Sequence, residues 1–78
     1  MARYFLHIHN GDGFQPDEVG QDYATADLAV AEAAATAGEI IRDEVTRALE
    51  DRQLNIVVED EAKTKLAEVE LKVRIHPS

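Results

Sequence analysis

The run from Thr25 to Arg52, TADLAVAEAAATAGEIIRDEVTRALEDR, constrains this chain more than any other stretch. Alanine is the best helix former, and no proline interrupts the run, so one long helix is expected. Thr25 is placed to cap its start, because a threonine hydroxyl accepts from the free amides of the first turn. Asp27 complements the positive end of the helix dipole. At about 100° per residue, Leu28, Ala31, Ala34, Ala35, Gly38, Ile41, Val45 and Leu49 gather on one side, which is the expected core face. On this reading Gly38 lets the helix approach a sheet closely. Glu32, Glu39, Asp43, Arg47 and Glu50 lie opposite, with Asp43 and Arg47 at ion-pair spacing. Ile40 falls off the stripe, either as a single exposed apolar residue or as a small contact patch. No glycine marks the C-terminal end.

The flanking segments alternate as strands do. In Arg3 to His9, Tyr4, Leu6 and Ile8 point one way and Arg3, Phe5, His7 and His9 the other. Asn10-Gly11-Asp12-Gly13 holds two strong tight-turn dipeptides and reverses the chain. Phe14 to Asp17 is a weak strand, since Pro16 has no amide for a ladder. Asp17-Glu18-Val19-Gly20 makes another turn, and Gln21 to Tyr23 a brief strand before the helix. Beyond the helix, Gln53 to Glu59 turns Leu54, Ile56 and Val58 inward, with Val57 outward. Asp60 to Thr64 is a turn. Lys65 to His76 alternates most cleanly, with Ala67, Val69, Leu71, Val73 and Ile75 against Glu68, Glu70, Lys72 and Arg74. The expected fold is a single α+β domain over residues 1–78. It is a β-β-α-β-β two-layer sandwich, with the helix on one face of a small, mainly antiparallel sheet.

Charge and composition narrow the function classes. Sixteen acidic residues against eight basic ones give a net charge of −8. That field repels phosphate backbones, so no nucleic-acid partner is expected. Nor is a membrane: no stretch approaches the roughly 20 apolar residues of a span, and the N-terminus lacks the apolar region of a signal peptide. Without cysteine there are no disulfides and no thiol catalysis. A cytoplasmic location is expected.

Arg3-Tyr4-Phe5, Gly11-Asp12-Gly13, Asp17-Glu18-Val19-Gly20 and the alanine-rich helix together resemble an uncharacterised family of short bacterial proteins, frequent in rhizobia and other alphaproteobacteria. Its members begin with an Arg-Tyr-Phe-Phe strand and carry an Asp-Glu-x-Gly turn in the last hairpin. Here that turn reads Asp60-Glu61-Ala62-Lys63, and lysine in place of glycine suggests a different turn type. The resemblance covers essentially the whole chain and implies no activity, ligand or catalytic residue. The layout is also similar to that of HicB-type antitoxin domains, whose aromatic proline-glycine signature before the helix is missing here.

Few residues carry chemistry. His7 and His9 project from one strand face, and His76 joins them if the first and last strands are neighbours, as a zinc or nickel site needs. Otherwise they are three partly exposed histidines. Asp12, Asp17, Glu18 and Asp22 crowd one loop and Glu59, Asp60 and Glu61 another, but neither follows a calcium-loop pattern. No nucleophile setting or phosphate-binding loop is present, so neither an enzyme nor a cofactor is expected. The remaining reading is a small interaction or regulatory module. It would bind a protein partner or self-associate through a sheet edge or through the outer sheet face, where Phe5, His7, His9 and Val57 lie.

Overall fold

The computed structural model describes residues 1–11 and 13–77; Asp12 of the expected first turn and the terminal Ser78 lie outside them. The elements in chain order are β1 (Ala2–Asn10), β2 (Gly13–Gln15), β3 (Gln21–Tyr23), α1 (Ala26–Ala48), β4 (Arg52–Glu59) and β5 (Lys65–Val73). The sheet is antiparallel in the order β2-β1-β4-β5, with β3 also paired to β1. The α+β sandwich is as expected, with one refinement. The second strand is split in two. Ile8 faces Gln15 while Tyr4 faces Gln21, so the β2–β3 segment takes six steps against four along β1. Pro16, which cannot donate to the ladder, begins the detour.

Strand alternation sets the two faces. Leu54, Ile56 and Val58 on β4 are fully buried beneath the helix, each contributing about 1.5–3 kcal/mol on transfer from water. Tyr4, Leu6 and Ile8 on β1 and Ala67, Val69, Leu71 and Val73 on β5 flank them, half-buried. The helix lies over β4 and β5 and touches β1 little.

The helix is rotated from its expected pose. Its buried residues are Ala29, Ala33, Ala37 and Ile41, four apart; of the expected stripe Ile41 and the half-buried Val45 stay at the contact, whereas Leu28 is 52% exposed and Leu49 70% exposed. Alanine methyls let the backbone settle closely on Leu54, Ile56 and Val58, which large side chains would prevent. Gly38 is not at the contact, since a Cβ there would meet nothing within 4 Å. Ile40 belongs to the packed set instead of standing off it.

The helix ends follow from local chemistry. The Thr25 hydroxyl accepts the Leu28 amide at 3.2 Å, as the cap requires. At the other end Leu49 takes the left-handed conformation (φ 51°) and its amide donates to the Val45 carbonyl at 2.8 Å. A leucine here does the work glycine usually does. Arg47 donates to the Asp43 carbonyl at 3.5 Å, so the expected spacing yields a backbone contact. Arg52 ties β4 back to the helix end through Glu44 (3.9 Å) and Glu50 (3.5 Å). Strand β5 stops at Val73, short of His76, and the Asp51 carboxylate accepts the Ile75 amide at 2.8 Å.

Each acidic turn is held by the side chain of its leading aspartate, and in the second the Lys63 amide also donates to the Asp60 carbonyl at 3.0 Å. Asp17 Oδ1 accepts the amides of Val19 (3.2 Å) and Gly20 (2.9 Å), and Asp60 Oδ1 accepts those of Ala62 and Thr64 (both 2.9 Å). The fourth residue of each is left-handed: Gly20 at φ 74° and Lys63 at φ 65°. Lys63 therefore adopts the left-handed conformation that glycine favours. The aspartate's side-chain bonds hold the shape despite the lysine. Among the described residues, no helix is long and apolar enough to cross a membrane.

Candidate interaction face

Phe5, His7 and His9 project from β1 on the side away from the helix, and Val57 on β4 stands opposite His7. The structure thus brings four of the sequence candidates onto one surface. It separates the fifth. His76 follows β5, and β4 lies between β5 and β1, so the strand adjacency that a three-histidine site needs is absent. Among the described residues no three His, Cys, Asp or Glu side chains are grouped to hold a metal.

Each histidine of the pair has its own partners. The Asp17 amide donates to His7 Nδ1 at 3.0 Å, and His7 Nε2 lies 2.8 Å from Glu59 Oε1. Because Nδ1 accepts, the neutral ring carries its proton on Nε2, which donates to the Glu59 carboxylate. His9 instead stacks on Phe14, with ring centroids 4.3 Å apart at 30°. Phe14 also meets the His7 ring at 6.1 Å, and 52% of its surface is exposed.

Asp17 organises the neighbouring loop. Where Pro16 ends ladder pairing, Asp17 Oδ2 accepts the Leu6 amide at 3.2 Å in place of a strand carbonyl. Burial by itself would raise this carboxyl. The amides of Gly20, Leu6 and Val19, with His7 nearby, outweigh it and hold the group below its ordinary range. The turn brings Gly20 against the Phe5 ring so closely that a Cβ would sit 2.8 Å from Cε1. Phe5 is therefore partly a packing residue, covering a cross-strand glycine.

The result is a concavity of about 410 Å³, floored by Phe5 and His7 and rimmed by Asp17, Glu59 and Glu61 with Lys63. Beside it stands the exposed Phe14 on its His9 plinth. Further along, Asn55 Nδ2 donates to Glu68 Oε2 at 2.5 Å and Lys65 pairs with Glu68 at 2.6 Å, so charge surrounds the apolar centre. The Lys65 ammonium, then Asn55, hold the Glu68 carboxyl below its ordinary value.

Phe14, Asp17 and Glu59 are absent from the sequence-derived candidates. A tight turn that pairs Asn10 with Gly13 puts Phe14 opposite His9, a signal that was available. The Asp17 and Glu59 contacts depend on the loop detour and had no sequence signal. The profile of a domain of unknown function, DUF6894, matches residues 3–72. No match is found among curated proteins or among solved structures.

Proposed function

The chain belongs to the DUF6894 family of unknown function, and we propose that it is a non-enzymatic cytoplasmic module that binds a protein partner through its outer sheet face. The observation that carries this reading is the exposed Phe14 stacked on His9 at the edge of an acid-rimmed concavity. An aromatic anchor in a polar surround is the composition that interface centres favour. With a net charge of −8, the face suits a basic partner surface. The two contacts of the His7 ring, one to the Asp17 amide and one to Glu59, support a structural part for it in holding this face.

Affinity capture from cells of origin, with wild type and Phe14→Asp as parallel baits, tests the proposal. Phe14 is exposed enough that the substitution leaves the fold intact. The expected result is a basic protein recovered by wild type and lost with Phe14→Asp. Equal recovery by both baits overturns the reading.

A further inference from the structure

Strand β5 ends the sheet, and its outer edge pairs with no other strand among the described residues. Long open edges invite another strand, and monomeric proteins usually block them. The β5 sequence is not blocked; it is self-complementary. From Glu68 to Arg74, which directly follows the strand, the chain reads Glu68-Val69-Glu70-Leu71-Lys72-Val73-Arg74, acids before Leu71 and bases after it. We propose that β5 pairs antiparallel with β5 of a second copy of this chain, centred on Leu71, joining the two sheets edge to edge.

In that register Glu70 faces Lys72 of the second copy and Glu68 faces Arg74, each twice by symmetry. Opposite charges directly across an antiparallel pair are stabilising, and like charges are not. Neighbouring registers fail this test: centring on Val69 sets Glu68 against Glu70, and centring on Glu70 sets that residue against itself. Glu68, Glu70, Lys72 and Arg74 are all exposed; within one chain Glu68 is held by Lys65 and Asn55, and Lys72 lies 3.7 Å from Glu70, so the cross-copy pairs extend or exchange with these contacts. On the other face Val69 meets Val73 and Leu71 meets Leu71, which covers apolar residues that the single chain leaves half-buried.

The helix permits the approach. It lies over β4 and β5, so with strands about 4.8 Å apart two such helices run roughly 10 Å from each other, within packing distance. On the helix, Ala34 and Gly38 are exposed and small and would not obstruct a neighbouring helix. This contact uses the sheet edge and does not depend on the outer-face reading.

Sedimentation of wild type, Glu70→Lys, Lys72→Glu and the double swap, each checked for folding by circular dichroism, tests the register. Wild type is expected to dimerise. Each single change sets like charges opposite each other twice and weakens the dimer roughly tenfold or more. The double swap restores both pairs and the dimer. A monomeric wild type, a dimer indifferent to the single changes, or a double swap that stays dissociated overturns the proposal. Hydrogen exchange on wild type adds a reading that needs no variant. Consecutive β5 amides are all protected in the dimer, whereas alternate fast exchange at concentrations where the chain is dimeric contradicts it. Loss of partner capture by Phe14→Asp with these results unchanged leaves the edge contact standing, and the reverse holds equally.

Discussion

Asp17 and His7 are joined backbone to ring: the Asp17 amide donates to His7 Nδ1 at 3.0 Å, while the Asp17 carboxylate accepts the Leu6 amide next door at 3.2 Å. One loop residue thus bridges the break in the second strand and fixes the tautomer of the imidazole on the outer face.

Removing the clamp should cost stability. Asp17→Ala leaves the amides of Leu6, Val19 and Gly20 without their acceptor, a loss of about 2 kcal/mol. Urea denaturation at neutral pH measures it, and a change below a few tenths would show that water replaces the carboxylate at no cost.

The same group predicts an acid dependence. Its folded value is depressed, so its contribution is fully present above the ordinary carboxyl value of 3.8 and is lost as pH falls through the folded value. The stability gap between wild type and Asp17→Asn should therefore narrow on acidification below about pH 4. A gap that holds constant to pH 2 contradicts this.

Two residues sit where glycine belongs. Leu49 (φ 51°) and Lys63 (φ 65°) each hold a left-handed conformation that strains an L side chain. Leu49→Gly and Lys63→Gly should each raise stability by about 0.5–1 kcal/mol, the relieved strain being partly offset by a freer unfolded chain. Gly20→Ala should do the opposite and cost about 2 kcal/mol or more, from its φ of 74° and its contact with Phe5. Thermal melts of the three variants check both signs.

The helix pose is testable in the same way. Ala33→Leu forces a large side chain into full contact and should cost about 1–3 kcal/mol. Leu28→Ala removes a side chain that is 52% exposed and should change stability by less than about 0.5 kcal/mol. The reverse order would restore the stripe through Leu28.

That stripe shows where the sequence misleads. In β4 and β5, apolar residues alternate with polar ones, so one choice of face buries Leu54, Ile56 and Val58 and the other buries charge. The helix offers no such contrast. With so many alanines, the line through Ala29, Ala33 and Ala37 and the line through Ala31, Ala35 and Gly38 differ little in apolar content. Leu28 and Leu49 tip the balance toward the wrong one. What decides is steric, since small methyls can sit directly on the bulky row of β4. Likewise Phe5, His7, His9 and Val57 share a face by strand parity alone. The Asp17 clamp and the Glu59 contact need a loop conformation that no periodicity encodes, and His76 depended on a strand order that parity does not supply.

The central claim is that the outer sheet face, and not the helix, is the working surface. Its most direct test is an NMR titration of the labelled chain with the partner captured by the wild-type bait, following the rings of His9 and Phe14 and the methyls of Ala31 and Ala35. The account predicts that the His9 and Phe14 ring signals shift or broaden while the exposed helix methyls stay fixed. Shifts confined to Ala31 and Ala35, with His9 and Phe14 unmoved, would contradict it.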